Sequence, residues 1–265
     1  MISLSKEYYL SLPKESDAND LIENLSNPEI NQNLLKIPEP YGLAEALEFI
    51  SRTVDYARTE AVLGNRIIRN QDEKLIGGIG SNYIDEQRSV VEIGYWLQRS
   101  LHGRGIMTFI VNRYCSFLFS QLPIHKIQAR IFSFNKASGS MLIKAGFSEG
   151  ELLRGYYQKG GKSIDAIPYT LHKSDHRETI KYIVEGKVQG VFFRKYTRLQ
   201  AIELGITGSV RNLDTGEVEV IATGSINSLN EFAKWLKIGS PMSKVSNVIS
   251  EPLIVQRYQG FNIVE

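Results

Sequence analysis

Two adjoining stretches near the middle of the first half of the chain have the strongest hydrophobic pattern. Residues 90–97 are β-branched and aromatic, which predicts a buried strand, and residues 106–119 are apolar on nearly every side, which predicts a buried helix. A loop containing Gly103 and Gly105 joins them. A strand that passes through a glycine loop into a helix presents unpaired N–H groups and the positive end of the helix dipole, and both attract phosphate. The pattern therefore predicts a site for a phosphorylated cofactor.

The remaining pattern up to about Lys173 predicts a mixed α+β unit. Asp17 is read as a cap for a helix over residues 17–27 that stops at Pro28, and residues 38–40 are read as loop. The other predicted elements are a helix over 43–57 with an apolar face at Leu43, Ala46, Leu47, Ile50, Val54 and Ala57, a hairpin of 65–69 and 74–84, a strand over 126–132, a helix from Asn135 to Ala145 closed by Gly146, and strands around 150–157 and 164–171.

Residues 172–178 are charged and lack an apolar period, which is typical of a linker. This predicts two domains, residues 1–174 and 175–265. The second contains a strand from Tyr182, a glycine loop, a helix whose apolar face is Phe193, Thr197, Ala201 and Leu204, a hairpin of 206–212 and 217–221, a helix opened by a capping box at Ser228 and Glu231, and strands at 245–249 and 261–264. This β-α-β-β-α-β order predicts a ferredoxin-like fold.

Composition narrows the classes of function. A single cysteine, Cys115, and four histidines without ligand spacing predict no metal site in the 265 residues. The net charge of +2 predicts no general attraction to nucleic acid or membranes. Without a signal-peptide pattern or a long apolar run, we expect a cytoplasmic protein.

The glycine spacing discriminates among phosphate-binding loops. A dinucleotide fingerprint requires glycine where Thr108 stands, and the Gly-Lys-Ser/Thr of a P-loop is absent. The segment from Ser100 to Gly105, Ser-Leu-His-Gly-Arg-Gly, resembles the cofactor loop of the GNAT acyltransferase superfamily, Gln/Arg-x-x-Gly-x-Gly/Ala, although Ser100 departs from its first position. Two glycines alone are also compatible with a tight turn before a helix.

Further motifs extend this resemblance over residues 5–173. Glu-Ile-Gly-Tyr-Trp-Leu at 92–97, Gly-Arg-Gly-Ile-Met-Thr at 103–108, Asn135-x-x-Ser138 and Ala-Gly-Phe at 145–147 together resemble the GNAT branch of ribosomal-protein N-terminal acetyltransferases. The resemblance implies a GNAT fold, acetyl-CoA as co-substrate, and a protein N-terminus or small amine as acceptor. We expect the selectivity for the acceptor to lie in the loops around residues 27–42 and 155–163, where no motif identifies a partner. The cofactor-binding residues that it implies are Leu97, His102, Gly103, Arg104, Gly105, Met107, Thr108 and Asn135.

Acetyl transfer also needs a base for the amine and a proton for the leaving thiolate. By the resemblance, Ser138 is a candidate proton donor and Glu92 a candidate base acting through water. The alternative interpretation is that Ser138 is a helix N-cap or first-turn residue and that Glu92 is a structural carboxylate. A further alternative is that the domain binds CoA without transferring an acetyl group.

The second domain carries a sharper pattern. Gly-Lys-Val-Gln-Gly-Val-Phe-Phe-Arg at 186–194, Gly-Ile-Thr-Gly-Ser-Val-Arg-Asn at 205–212 and Asp214-x-Gly216-x-Val218-Glu219 are similar to the acylphosphatase family over residues 178–265. That likeness makes Arg194 the phosphate-binding arginine, makes Asn212 the residue that orients the attacking water, and implies an acyl phosphate substrate without a metal. The phosphate loop is then Gln189, Gly190, Val191, Phe192 and Phe193.

The chemistry is consistent with these residue types. Successive loop amides can bind phosphoryl oxygens, and Arg194 adds a forked, charge-assisted hydrogen bond. An acyl phosphate has a good leaving group, so positioning a water and neutralising charge suffices. Taken singly, Arg194 is better read as a surface helix residue and Asn212 as a turn residue, and only the two together in register favour the functional reading. The alternative for the whole domain is a non-catalytic binding or regulatory module.

Overall fold

The computed structural model describes residues 1–59, 63–85, 87 and 89–265, and the chain divides into two compact units, Met1–Lys173 and Ser174–Glu265. The strands of the first unit are β1 Ile2–Ser3, β2 Tyr8–Ser11, β3 Gly64–Asn70, β4 Leu75–Asp85, β5 Val90–Leu97, β6 Lys126–Phe132, β7 Ser148–Glu149, β8 Leu153–Lys159 and β9 Lys162–His172. Its helices are α1 Ala18–Leu25, α2 Pro28–Asn31, α3 Leu43–Thr59, α4 Ile106–Gln121 and α5 Lys136–Lys144.

These strands form one sheet in the order β1-β2-β3-β4-β5-β6-β9-β7, with β8 also paired to β9. All pairs are antiparallel except β5 with β6. One face of the sheet packs against α1 and α3, with Leu21, Ile50 and Ile67 in that core. The mixed α+β architecture predicted from the hydrophobic pattern is confirmed.

The prediction at the first helix is right about its start and wrong about its end. Asp17 occupies the N-cap position, although its side chain makes no capping hydrogen bond, and the helix ends at Leu25. The Asp17 carboxylate instead accepts hydrogen bonds from the Lys14 N–H at 2.7 Å and from the buried Arg69 guanidinium at 2.6 Å. Pro28 starts α2 rather than ending α1, because a missing N–H is tolerated in the first turn of a helix.

The face predicted for α3 is partly wrong. Ala46, Ile50 and Thr53 are buried, whereas Leu43 is 56% exposed and Leu47 is 40% exposed. Hydrophobic spacing predicts that residues 43–57 form a helix. Which of its side chains are buried depends on the elements that pack against α3.

The second unit contains strands β10 Glu178–Lys187, β11 Thr207–Asn212, β12 Val218–Gly224, β13 Lys244–Leu253 and β14 Phe261–Ile263, and helices α6 Phe193–Glu203 and α7 Ile226–Ile238. The sheet order is β13-β10-β12-β11-β14. The first four strands have the predicted ferredoxin-like arrangement, and β14 adds a parallel edge strand beside β11. The second unit has its own hydrophobic core, which contains Tyr182, Phe193 and Phe232.

The predicted capping box of α7 is wrong by three residues. Ser225 is the cap, and its side chain accepts the Ser228 N–H at 3.1 Å. Glu231 pairs with Lys234 instead.

Between the two units, β9 runs through His172 and β10 begins at Glu178, so residues 173–177 connect them. His176 in this connection is 1% exposed. Within the described residues, every helix falls short of the length and apolar character that a membrane crossing requires.

Candidate active sites

The first candidate site is a cleft where β5 and β6 separate. Their parallel pairing covers only Val90, Val91 and Glu92 of β5, which oppose residues 126–128 of β6. On its other edge, β5 remains paired with β4 as far as Leu97. The edge of β5 from residue 93 to 97 therefore has no strand partner on the β6 side. Unpaired backbone groups in such a cleft can bind an extended polar ligand.

The loop before α4 lies at the end of this cleft. Gly103 and Gly105 both have φ of +77°, and a side-chain carbon at Gly103 would meet no atom within 4 Å. The first α4 hydrogen bond runs from the Phe109 N–H to the Gly105 carbonyl at 3.1 Å. The N–H groups of residues 103–108 donate to no acceptor in the described part of the chain. Together with the helix dipole, they form an anion-binding arrangement that suits a pyrophosphate.

The other residues predicted to bind the cofactor lie next to this loop and differ in their contacts and burial. The His102 ring Nε2 lies 2.9 Å from the Leu97 carbonyl oxygen and ties the loop to the end of β5. Leu97 and Thr108 are buried, Met107 is half-buried and Arg104 is exposed. Because its side chain lies in the core, Leu97 is left with only its backbone to offer a ligand.

Asn135 and Ser138 lie together at the start of α5. Asn135 is the helix cap, and its Oδ1 accepts the Ser138 N–H at 3.2 Å. The Ser138 Oγ lies 2.8 Å from the hydroxyl of Tyr95 on β5. Tyr95 was not predicted as a site residue, since aromatic residues in a strand are more often part of a core.

Glu92 lies at the last ladder position before the cleft. Its carboxylate accepts a hydrogen bond from Arg130 on β6 at 2.7 Å, and the two side chains are 25% and 17% exposed. Burial raises the pKa of Glu92 above its ordinary value, and the positive charge of Arg130 opposes this rise. The Arg130 guanidinium also lies 5.3 Å from the ring centre of Tyr156.

Glu92 and Ser138 occupy opposite faces of the sheet. Successive strand residues alternate between faces, so Glu92 and Tyr95 on β5 point in opposite directions, and Ser138 is bonded to Tyr95. The predicted base and proton donor therefore approach the cleft from two sides. Trp96 belongs to the core against α1 and α3.

Lys159 is a residue of this region that the sequence did not identify. From β8, its ammonium donates to the Asn31 carbonyl at 2.6 Å, to the Asn31 side chain at 3.0 Å and to the Leu34 carbonyl at 2.8 Å. It joins the two segments around 27–42 and 155–163 in which acceptor selectivity is expected. A lone lysine in a strand gives no sequence signal for this contact.

The second candidate site is the loop between β10 and α6. Gly190 has φ of +72° with open space beside it, and Phe192 has φ of +59° although it is not glycine. The first backbone bond into α6 runs from Tyr196 to the Phe192 carbonyl at 3.1 Å. The N–H groups of residues 189–195 have no acceptor among the described residues. A left-handed Phe192, 64% exposed, stores about 1 kcal/mol or more of strain, which is typical of functional loops.

Arg194 and Asn212 complete this site. Arg194 lies in the first turn of α6, is half-buried, and has no hydrogen bond or ion pair with any described residue. Asn212 ends β11, and its Oδ1 is buried without a donor from the described chain. A cation and several free N–H groups can bind an anion, and a free amide oxygen can accept from a water.

Two further side chains hold this loop in place. Gln189 Nε2 donates to the carbonyls of Leu213 and Glu217 at 2.8 and 2.9 Å, which ties the loop to the hairpin after Asn212. Buried Ser240 donates to the Val191 carbonyl at 2.9 Å. The Gln189 side chain therefore stabilises the loop, a role that the sequence did not predict.

In the described part of the chain, no group of three or more His, Cys, Asp or Glu side chains is placed to hold a metal ion.

Comparisons with known proteins cover both units. Residues 8–148 match the acetyltransferase (GNAT) domain family, and residues 180–263 match the acylphosphatase family. The acylphosphatase of Coxiella burnetii is 43% identical over 91 residues, which is 34% of this chain and 96% of that protein.

Solved structures resemble the first unit. The microcin C7 self-immunity acetyltransferase MccE, in complex with acetyl-CoA and AMP, has a TM-score of 0.57 at 22% identity and covers 64% of this chain and 94% of its own. The ribosomal L7/L12 α-N-protein acetyltransferase RimL, in complex with CoA, has a TM-score of 0.57 at 19% identity and covers 64% and 97%. At these identities the likeness shows the fold alone. By the matches of residues 8–148 and 180–263, the chain belongs to two families of enzymes, the GNAT acetyltransferases and the acylphosphatases.

Proposed function

We propose that the chain is a bifunctional enzyme. Residues 1–174 transfer an acetyl group from acetyl-CoA to an amine, either a protein N-terminus or a small molecule, and residues 175–265 hydrolyse the carboxyl-phosphate bond of acyl phosphates. The first proposal rests on the cleft between β5 and β6 with its free amides at residues 103–108. The second rests on the unpaired Arg194 beside the free amides of the loop.

In the proposed hydrolysis, the phosphoryl oxygens bind to the N–H groups from Gln189 to Phe193, and Arg194 neutralises their charge. Asn212 Oδ1 accepts a hydrogen bond from the attacking water. The water oxygen forms a bond to phosphorus while the bond to the carboxylate oxygen breaks, and the carboxylate leaves with the electron pair. An amide is not a base, so Asn212 orients the water, and the water protons pass to the phosphate product and solvent.

The test of this half is phosphate release from acetyl phosphate or benzoyl phosphate. We expect Arg194→Ala to lower kcat/KM about 10²-fold or more, because one charged donor to the transition state is lost. Lys195→Ala removes the same charge from the exposed neighbouring position and should change the rate little. Absence of phosphate release by the wild type would favour a non-catalytic binding module instead.

In the proposed transfer, acetyl-CoA supplies the acetyl thioester. The N–H groups of residues 103–108 bind its pyrophosphate, and His102 and Asn135 hold the loop and the start of α5 in place. Glu92 removes the amine proton through a water, and its raised pKa makes it a stronger base than an ordinary carboxylate. The amine nitrogen forms a bond to the thioester carbonyl carbon, the carbon–sulfur bond breaks, and the sulfur leaves with the electron pair as a thiolate. The Ser138 hydroxyl donates a hydrogen bond to this thiolate, which takes its proton from solvent. That MccE and RimL were solved with acetyl-CoA or CoA supports this choice of co-substrate.

The test of this half is isothermal titration with acetyl-CoA, followed by a screen of N-terminal peptides and small amines. We expect binding and transfer to at least one acceptor, with Glu92→Gln slower by about 10²-fold. Binding without transfer to any amine would make the domain a CoA-binding module, and absence of binding would contradict both versions.

A further inference from the structure

The Tyr95 hydroxyl forms a hydrogen bond with Ser138, and the proposed acetyl transfer gives Tyr95 no role. Its hydroxyl and the Ser138 Oγ lie 2.8 Å apart, the usual distance for a hydrogen bond between two hydroxyl groups. Tyr95 is in the part of β5 beyond the last ladder pair with β6, so this contact is at the cleft itself.

The direction of this hydrogen bond matters for the chemistry. Each hydroxyl has one proton, so only one of the two can donate in the pair. If Tyr95 donates, the Ser138 proton is free to point to another acceptor. If Ser138 donates, the serine offers the cleft only lone pairs, which would repel a negatively charged sulfur.

The surroundings favour Tyr95 as the donor. Burial raises the pKa of Tyr95, so its proton stays on oxygen throughout the neutral range. A phenol is also a better hydrogen-bond donor and a weaker acceptor than an aliphatic hydroxyl. The Ser138 N–H is already bonded to Asn135, which fixes the serine backbone.

We propose that Tyr95 is a positioning residue that donates to Ser138 Oγ and thereby directs the Ser138 proton to the sulfur of CoA. This inference rests on the proposed function of the first domain and goes beyond it by assigning the residue that orients the donor. Both hydroxyl groups keep their protons, because a thiol is more acidic than either of them. The pair thus stabilises the thiolate by a charge-assisted hydrogen bond.

Binding of CoA at different pH values tests the proposal without turnover. The alkyl thiol of CoA has a pKa above the value of about 8.5 for Cys, so it is protonated at pH 6.5 and ionised to a substantial fraction at pH 9.5. If Ser138 donates to the thiolate, the wild type binds CoA about tenfold more tightly at pH 9.5 relative to acetyl-CoA, which has no thiol to ionise. Tyr95→Phe should remove most of this gain and leave the affinity for acetyl-CoA unchanged.

Tyr114→Phe is the matched control. The Tyr114 hydroxyl lies 2.8 Å from the Ser81 Oγ, so the same kind of buried Tyr-Ser pair is removed from the same unit away from the cleft. We expect this variant to keep the full gain. Thermal unfolding of both variants separates a general loss of stability from a loss of the thiolate contact.

A double-mutant cycle tests whether Tyr95 acts through Ser138. Tyr95→Phe combined with Ser138→Ala should lose no more of the pH-dependent gain than Ser138→Ala alone. Independent, additive losses would overturn the proposal, as would a full gain in Tyr95→Phe or the lack of any gain in the wild type. Because the readout is binding, a wild type that shows the gain but transfers no acetyl group would contradict the proposed function and leave this assignment standing.

Discussion

At the scale of single residues, the charged groups at the two candidate sites differ in whether they form an ion pair. Arg130 and Glu92 are paired, partly buried and at the edge of a cleft, whereas Arg194 is half-buried and unpaired among the described residues. A paired carboxylate with a raised pKa suits proton transfer, and an unpaired guanidinium suits anion binding.

The pH dependence of acetyl transfer should report the pair of Glu92 and Arg130. Glu92 acts as a base only when ionised, so kcat/KM should fall as pH drops through its raised pKa. Since Arg130 holds that pKa down, Arg130→Gln should move the acidic limb of the pH profile upward by about one pH unit. The profile of kcat/KM against pH measures this shift.

Arg154→Gln serves as the control, because Arg154 is an exposed arginine on β8 of the same sheet. Its acidic limb should coincide with that of the wild type. An unshifted limb in Arg130→Gln would mean that another group titrates, and Glu92 would then be a structural carboxylate.

At the scale of elements, the chain places both anion-binding arrangements before helices. Helix α4 follows Gly105, and α6 follows Phe192, each in a left-handed conformation. In α4 this conformation is provided by glycine, which favours it, but in α6 by a phenylalanine, which does not. The glycines were therefore recognisable in the sequence, while the strained Phe192 and the bonds of Gln189 and Ser240 that hold its loop were not.

Lys159 should affect acceptor binding through the segment that it holds. Lys159→Met removes three hydrogen bonds to Asn31 and Leu34 and should raise the KM for the acceptor about tenfold. The affinity for acetyl-CoA, measured by isothermal titration, should stay the same because the cofactor loop is not touched.

Lys162→Met tests the specificity of that effect, since Lys162 is exposed and lies on the next strand of the same hairpin. Equal changes in KM for the two variants would show that charge, rather than the contact to residues 31–34, determines acceptor binding.

At the scale of the whole molecule, each unit has its own sheet and its own hydrophobic core. The residues that match the acylphosphatase family all lie within Ser174–Glu265. This unit also contains the predicted phosphate loop and Asn212. Nothing in the proposed chemistry of either site requires a residue of the other unit.

The isolated segments 1–174 and 175–265 should therefore each fold and keep the activity of the intact chain. Phosphate release by 175–265 should match the wild-type kcat/KM within about twofold, and acetyl transfer by 1–174 should do the same. Faster coupled turnover in the intact chain than in an equimolar mixture of the segments would instead show that the two activities depend on each other.

The two families and most of the order of elements could be read from the amino-acid sequence, and so could the position of the two glycine loops before helices. These follow from local signals, because hydrophobic period, glycine placement and short motifs are properties of neighbouring residues. The short motifs that contain Arg194, Asn212, Gly103 and Gly105 are local in this sense, and the roles of these residues stay predictions.

The contacts between side chains of different elements are set by the three-dimensional fold. Tyr95 and Ser138 are separated by 43 positions, Lys159 and Asn31 by 128, and Asp17 and Arg69 by 52. Such contacts depend on strand register and on the packing of helices against the sheet, and no local pattern encodes them. The same reason explains why the Asp17 side chain pairs with Arg69 although Asp17 stands at the N-cap of α1. It also explains why Leu43 and Leu47 are exposed on a helix that the hydrophobic period predicts.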